Sequence, residues 1–148
     1  MGDRTTVYLT VLAVHKELAE VHIDDQACDE EAEGLHVKYT FYDVNYGNLP
    51  FLDAMDHEGI PYDSTWESGD EYGEGTQSGR FTHEGIFVDK TVYGSSQGVP
   101  LDTLIPLLGD HAALVACIKK CQEEISVLPW ENQEEYSKLY RARKLINA

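Results

Sequence analysis

The sequence contains few positively charged residues. Its 148 residues include 11 Lys and Arg against 27 Asp and Glu, which gives a net charge of −16. Because affinity for phosphate groups is built from Lys and Arg, direct binding to nucleic acid is not expected. Residues 1–90 hold 20 acidic and 5 basic residues, whereas residues 91–148 hold 7 and 6. A uniform excess would suggest general solubility or adaptation to high salt, so this concentration predicts an acidic surface with a specific role.

Long apolar runs and cysteine pairs are also lacking. The sequence contains no run of about 18 apolar residues, so no transmembrane helix is predicted. The acidic N-terminus lacks the pattern of a signal peptide. The three cysteines, Cys28, Cys117 and Cys121, do not have the spacing of a disulfide framework or a zinc motif. We therefore predict a cytoplasmic protein without a membrane partner, a bound metal or a cofactor.

Two strands and a hairpin are predicted in the first part of the chain. β-Branched and aromatic residues are enriched at 5–14 and 35–44, which indicates strands, and residues 80–93 read as a hairpin that turns at "HEG". The segment between the two strands is ambiguous. Residues 15–23 either extend the first strand through a hairpin or form a short helix, and residues 24–34 form either a solvated loop or a short helix.

Helices are predicted by the remaining patterns. Asn48 is placed to cap a helix that ends at Gly59. The inner side of that helix is formed by Leu49, Leu52 and Met55. Asp110 is placed to cap a longer helix, whose apolar residues recur at helical spacing and predict a stripe packed on the sheet. The stripe consists of Leu114, Cys117, Ile118, Cys121 and Ile125.

The order of these elements, strands first and helices last, predicts an α+β fold. We predict a single domain over residues 1–148, in which residues 1–95 are acidic and consist mainly of strands plus one helix, and residues 96–148 are helical. The sheet is expected to be antiparallel or mixed, with the C-terminal helices packed on one side.

The stretch "DSTWESGDEYGEGT", residues 63–76, carries five carboxylates, two aromatic residues and three glycines, but no basic residue. No Leu, Ile or Val occurs between Asp63 and Phe81. A compact domain seldom contains so long a polar segment unless the segment is functional or disordered. We therefore interpret this stretch as an acidic–aromatic loop and as the main candidate site.

Known ion-binding and catalytic patterns fit this loop poorly. Asp63, Thr65, Glu67 and Glu74 fall at liganding positions of an EF-hand template, but Ser68 occupies the position of the required glycine. The segment "GEGTQSG" lacks the lysine of a phosphate-binding loop. Catalytic carboxylates need partial burial and distinct environments, whereas these acids are predicted to lie in exposed clusters. Enzymatic activity is therefore not expected.

Carboxylates fixed along a surface present to a protein roughly what a phosphate backbone presents. Arg pairs with carboxylate as readily as with phosphate, and such a surface is steered toward basic nucleic-acid-binding sites. Aromatic residues supply anchors, because interface energy concentrates in buried aromatic and Arg side chains. The predicted partner-binding residues are Tyr62, Asp63, Trp66, Glu67, Asp70, Glu71, Tyr72 and Glu74, with a second patch at Asp24, Asp25, Asp29, Glu30 and Glu31.

In its size, its acidic 1–90 portion and its "FYDVNYGNLPF…GIPYDSTWESGDEYGEGT" region, the chain resembles the small acidic anti-defence proteins of phages and plasmids. These are the nucleic-acid-mimicking anti-CRISPR and antirestriction proteins. The resemblance implies a non-enzymatic inhibitor that occupies the basic nucleic-acid-binding site of a host nuclease or CRISPR effector. It assigns no individual binding residue.

Two other classes of function remain open. A non-mimic adaptor or immunity-type protein would bind a basic protein partner through the same surface, and competition with DNA or RNA distinguishes it from a mimic. A small metal-binding domain or enzyme is the third hypothesis, and calorimetry with calcium, magnesium and zinc tests it. A high-salt habitat would explain the acidic charge without any partner, and folding that needs molar salt would support that explanation. Self-association into a homodimer is also open.

Overall fold

The computed structural model describes residues 3–23, 28–94 and 98–147. Within these ranges, six strands form one open antiparallel sheet in the order β2-β3-β1-β4-β5-β6. The strands are β1 (Arg4–Leu12), β2 (Cys28–Glu33), β3 (His36–Asn45), β4 (Tyr62–Trp66), β5 (Gly75–Phe81) and β6 (Phe87–Tyr93). The helices are α1 (Lys16–Ile23), α2 (Leu52–Glu58), α3 (Leu101–Leu104), α4 (His111–Ile125) and α5 (Gln133–Asn147). The predicted α+β class is confirmed, and the sheet is antiparallel. No helix in the described ranges is long and apolar enough to cross a membrane.

The strand register gives the sheet two different faces, because successive side chains of a strand point to opposite sides. Val7, Leu9 and Val11 of β1 are completely buried and define what we call the core face. Their neighbours on β3 and β4, which lie on the same face, are Val37, Tyr39, Phe41, Tyr62, Ser64 and Trp66. The opposite face, the outer face, is polar at its centre and carries Tyr8, Thr10, Lys38, Thr40, Thr65 and Thr76.

Helices α1 and α2 cover the core face. Ala19 and Ile23 of α1 and Leu52 and Met55 of α2 are buried in one cluster with the apolar side chains of the sheet. Burial of one such aliphatic side chain contributes about 1.5–3 kcal/mol. This layer of helix on sheet is the hydrophobic core of the protein.

Helix α2 has the predicted end but a different start. Gly59 follows the last helical residue in the left-handed conformation, with a φ of 67°. A β-carbon at this position would collide with the rings of Phe81 and Tyr140, so both conformation and packing require glycine. The helix begins after Phe51 without a side-chain cap. The prediction that Asn48 caps it is therefore wrong.

The segment between β1 and β3 contains one helix and one further strand. Residues 16–23 form α1 and do not extend β1. Strand β2 then pairs antiparallel with β3, so the loop or helix predicted for residues 24–34 is wrong over this strand. Four of the six residues of β2 are acidic, and charges on an edge strand oppose pairing with another sheet. Asp24 and Asp25 lie outside the described residues.

Residues 63–76 are not one continuous loop. Strands β4 and β5 pair antiparallel across this stretch, and only residues 67–74 connect them. The small polar side chains of the two strands bond to each other, as shown by the 3.0 Å separation of the hydroxyl oxygens of Thr65 and Thr76. The predicted loop is therefore a hairpin whose strands use hydrogen bonds where apolar contacts would be usual.

The apolar stripe of α4 is not part of the core. No residue of this helix is buried, and the side chain of Ile118 is 44% exposed. Cys117 and Cys121 are half-buried, not core residues as predicted. The stripe was expected to pack on the sheet formed by β1 and β3, and that prediction is wrong.

Helix α4 is nevertheless capped and anchored at its ends. Asp110 accepts a hydrogen bond from the backbone N–H of Ala113 at 3.1 Å, as predicted for an N-cap. At the other end, the Lys90 ammonium group of β6 donates to the backbone oxygens of Glu123 and Ser126. The last turn of α4 is therefore tied to the edge of the sheet.

Helix α5 packs at the end of β5. The side-chain amide of Gln133 pairs with the backbone of Phe81, accepting from its N–H at 2.7 Å and donating to its oxygen at 3.0 Å. The Ser137 hydroxyl donates to the backbone oxygen of Gly59 at 2.7 Å, and the ring of Tyr140 meets Phe81 edge-on. These buried contacts attach the C-terminal helix to the sheet.

Candidate functional site

The register of the strands brings exposed carboxylates together at one end of the sheet. One row of paired residues crosses the strands from β3 to β6: Phe41, Val7, Trp66, Gly75 and Tyr93. The chain segments beyond this row therefore meet at the same end. We call the carboxylates in and beside these segments the acidic end: Asp3, Asp29, Asp43, Glu67, Asp70, Glu71 and Glu74. Arg4, whose guanidinium lies 3.8 Å from the Asp43 carboxylate, is the one basic residue in the segments 3–6, 42–46 and 67–74.

Two tyrosines hold carboxylates of the acidic end in place. The Tyr8 hydroxyl donates to Glu67 Oε1 at 2.6 Å, and the Tyr42 hydroxyl donates to Asp29 Oδ2 at 2.8 Å. These hydrogen bonds raise the pKa of both phenols above the ordinary value of tyrosine. Because the donors are neutral, the two carboxylates are oriented without losing their charge.

The carboxylates farther along β2 are paired with lysines. Lys38 Nζ lies 2.9 Å from Glu33 Oε1 and 3.7 Å from Glu31 Oε2, and Lys16 forms an ion pair with Glu30. Exposed pairs of this kind contribute about 0–1 kcal/mol to stability. They do offset the local charge, so Glu30 and Glu31 of the predicted second patch are less available to a basic partner than Asp29.

The connection between β4 and β5 is ordered by its own hydrogen bonds. The backbone N–H of Glu71 donates to Asp3 Oδ2 at 2.8 Å, and the indole N–H of Trp66 donates to the backbone oxygen of Gly73 at 3.0 Å. The carboxylates of residues 67–74 are thus presented on a folded segment.

Among the residues that the structure describes, no group of three or more His, Cys, Asp or Glu side chains is arranged to hold a metal ion.

An aromatic crevice of about 440 Å³ lies beside this segment. Four rings line it, from Tyr46, Trp66, Tyr72 and Tyr93. The ring centres of Tyr46 and Tyr72 are 6.1 Å apart, and those of Trp66 and Tyr93 are 6.0 Å apart. Sequence reasoning missed Tyr46 and Tyr93, which come from the turn after β3 and the end of β6. Only the order of strands in the sheet brings them to the 67–74 connection.

Three of the predicted site residues contribute to the fold itself. Tyr62 is completely buried in the core, so its prediction as an interface anchor is corrected. Asp63 forms an ion pair with the buried Arg80 at 2.7 Å, so its charge is compensated within the chain. Trp66 packs partly against the core, and it also lines the crevice.

Most of the other predicted partner-binding residues lie at the acidic end or in the crevice beside it. Exposed at the acidic end are Asp29, Glu67, Asp70, Glu71 and Glu74, and Tyr72 lines the crevice beside them. Asp24 and Asp25 belong to the residues that the structure does not describe. The predicted partner-binding residues that are exposed and not paired with a basic side chain therefore lie at one end of the sheet.

A larger groove of about 1160 Å³ lies between α2, β6 and α5. Its lining includes the acidic side chains of Asp56 and Asp89 and the basic side chains of Arg143 and Lys144. Burial, together with the neighbouring Asp89 carboxylate, raises the pKa of the Asp56 carboxyl group to about 6. A carboxyl group in this range exchanges its proton near neutral pH. No sequence pattern predicted this groove, because the burial of Asp56 depends on tertiary packing.

Comparison with known proteins assigns the chain to no family. No family model matches its sequence. No curated protein and no solved structure is significantly similar to it. The function of the chain is therefore inferred from the geometry of the acidic end and the crevice beside it.

Proposed function

We propose that this chain is an acidic, non-enzymatic inhibitor that occupies the basic nucleic-acid-binding site of a host-defence nuclease or CRISPR effector. The observation that carries the proposal is the acidic end, where seven carboxylates lie in and beside chain segments whose one basic residue is Arg4. Asp29 and Glu67 within it are oriented by the hydroxyls of Tyr42 and Tyr8. Oriented and uncompensated charge is what imitation of a phosphate backbone requires.

Electrostatics would govern how such a surface finds its partner. A concentrated negative field raises the association rate with a positively charged site, and salt screens this effect. A binding site lined with Arg can pair with carboxylates in the same bidentate manner as with phosphates. Net repulsion from nucleic acid itself makes a protein the expected partner.

The alternative is an adaptor or immunity-type protein that binds a basic partner away from its nucleic-acid site. The acidic end would serve both functions equally, since both need the same charge complementarity. They differ in one respect only: a mimic and nucleic acid exclude each other from the partner.

The proposal is tested by affinity capture followed by displacement. The full chain is immobilised and exposed to a bacterial lysate at low and high salt, and captured proteins are identified by mass spectrometry. Duplex DNA or structured RNA is then added to the washed complexes. We expect that the proteins captured at low salt are basic nucleic-acid-binding proteins. The added nucleic acid should displace them.

Matched variants locate the surface. The variant Glu67→Gln, Asp70→Gln, Glu71→Gln removes three charges from the acidic end and should lower capture severalfold. The control Glu131→Gln, Glu134→Gln, Glu135→Gln removes three exposed charges around the first turn of α5 and should leave capture unchanged. Equal capture by both variants would reject the acidic end as the surface. Capture that nucleic acid does not displace would favour the adaptor.

A further inference from the structure

The aromatic crevice beside the acidic end has the features of a site for a cation. Its lining consists of Tyr46, Gly47, Asn48, Trp66, Tyr72, Gly73, Gln77, Thr91 and Tyr93 and contains no basic residue. Aromatic faces carry negative potential and attract cations, most strongly where water is partly excluded. An anionic ligand would find no positive charge here.

Carboxylates flank the crevice on two sides. The Tyr46 hydroxyl lies 3.5 Å from Glu71 Oε2, which places that carboxylate at one side. On the side of β6, Glu74 Oε1 would lie only 2.6 Å from a β-carbon built on Gly94, the residue directly after Tyr93. A cation in the crevice would therefore meet aromatic rings as well as negative charge.

The crevice is open to a side chain from another protein. The side chain of Tyr46 is 50% exposed and that of Tyr93 is 54% exposed, so two of its four rings are accessible from solvent. The Trp66 ring is held in place, because its indole N–H is hydrogen-bonded to the backbone oxygen of Gly73. The crevice therefore combines accessible rings with a fixed one.

We propose that the aromatic crevice binds the guanidinium group of an arginine side chain from the partner protein. That the arginine belongs to a basic nucleic-acid-binding protein rests on the proposed function above. Arginine fits better than lysine because its planar group stacks on aromatic rings and also donates in a fork to carboxylates. The chain already contains this arrangement, since the buried guanidinium of Arg80 stacks on Trp130 and pairs with Asp63.

The crevice and the acidic end would then have separate kinetic roles. Long-range charge sets the association rate, whereas a desolvated contact at short range sets the dissociation rate. Loss of a crevice ring should therefore speed dissociation with little effect on association or on its salt dependence. Loss of acidic-end charge should do the opposite.

The first test needs no identified partner. The full chain is titrated with N-acetyl-arginine methylamide, and the indole N–H signals of Trp66 and Trp130 are followed by NMR. The neutral isostere N-acetyl-citrulline methylamide, the lysine analogue and tetramethylammonium are titrated in parallel. We expect a saturable shift of the Trp66 signal with the arginine probe, weaker shifts with lysine and tetramethylammonium, and no saturable shift with citrulline.

The proposal is overturned if the arginine probe produces no saturable shift of Trp66, or if citrulline binds equally well. Stronger binding of tetramethylammonium would also overturn it, in favour of a small quaternary ammonium ligand. The variants Tyr46→Ala and Tyr93→Ala should each weaken arginine binding at least threefold. The control is Leu139→Ala, which removes a large side chain of similar exposure, 55%, on α5 and outside both the crevice and the acidic end.

A captured partner then separates this inference from the proposed function. Tyr93→Ala should speed its dissociation at least threefold, and the triple Gln variant of the acidic end should slow its association. If only the second effect appears, the crevice assignment fails and the proposed function stands. If the arginine probe binds but no basic partner is captured, the crevice stands and the proposed function fails.

Discussion

The guanidinium carbon of Arg80 lies 3.5 Å from the centre of the Trp130 ring. Arg80 is buried, and its nitrogens donate to the backbone oxygen of Tyr62 at 2.6 Å and to Asp63 Oδ1 at 2.7 Å. The edge of the His36 ring meets the same indole at 4.8 Å between ring centres. A single cation on β5 thus joins the outer face of the sheet to the segment between α4 and α5.

Trp130→Ala should lower the free energy of unfolding by about 2 kcal/mol or more, because a desolvated cation–π contact contributes about 2 kcal/mol and apolar burial is lost as well. Urea unfolding followed by circular dichroism measures the change. A double-mutant cycle with Arg80→Met should give a coupling of at least about 1 kcal/mol. Additive effects of the two substitutions would contradict a direct interaction.

Ile118→Asp should change the melting temperature little, since this side chain is 44% exposed and exposed substitutions usually stay within about 0.5 kcal/mol. The matched substitution Leu52→Asp places the same carboxylate in the core and should cost several kcal/mol. Thermal unfolding of both variants measures the contrast. A large loss of stability in Ile118→Asp would mean that α4 is covered in solution, for example by a second copy of the chain.

His15 should make the protein less stable as the pH falls from about 6.5 to about 4. Burial, together with the charge of Arg141, lowers the pKa of its imidazole to about 4. Both ring nitrogens are buried without a hydrogen-bond partner among the described residues. The unfolded chain takes up a proton near pH 6.5 and the folded chain does not, so up to about 3 kcal/mol is lost across this window.

The contribution of His15 is measured by comparing unfolding free energies of the parent and His15→Leu between pH 7.5 and 4. As the pH falls, the free energy of unfolding of the parent should decrease relative to that of His15→Leu. A constant difference over the whole range would show that His15 does not titrate differently in the folded and unfolded states.

Asp56 should have the opposite pH dependence. Its folded-state pKa, about 6, lies above its ordinary value of 3.8, so the folded chain holds this proton more tightly than the unfolded chain. The resulting stability is fully present below about pH 3.8 and is lost as the pH rises through 6. Asp56→Asn should therefore raise the free energy of unfolding at pH 7.5 by about 1 kcal/mol after allowance for solvent screening.

The measurement for Asp56 is a pair of urea titrations at pH 7.5 and pH 4. The gain of Asp56→Asn over the parent should be largest at pH 7.5 and should be much smaller at pH 4. Asp53→Asn, on an exposed position of the same helix, is the control. A gain of equal size at both pH values would mean that the charge of Asp56 is not the cause.

Local signals in the sequence predicted the local parts of the fold. Alternating apolar residues located β1 and β3, Gly59 marked the end of α2, and Asp110 marked the start of α4. Each of these depends on a few neighbouring residues. The stripe containing Ile118 misled because periodicity shows that one face of a helix is apolar, but not whether another element covers it.

The candidate site was predicted only in part for a similar reason. The carboxylates of residues 67–74 were visible as composition, and they do lie on an exposed connection. Ser64 and Ser78, however, are buried, and no apolar pattern could have revealed the strands that contain them. Tyr46 and Tyr93 are far apart in sequence. The pairing of β3 with β1 and of β1 with β4 brings Tyr46 near Trp66, and the pairing of β4 with β5 and of β5 with β6 brings Tyr93 there.

The two hydrogen bonds between the Gln133 side chain and the backbone of Phe81 also have a consequence for folding during translation. The two residues are 52 positions apart, and at about 5–20 residues per second the second is made roughly 3–10 s after the first. Until then the buried end of β5 lacks its hydrogen bonds to the Gln133 amide, and the ring of Phe81 lacks its contacts with Tyr136 and Tyr140 of α5. One end of β5 in the nascent chain therefore remains partly uncovered until α5 has been translated.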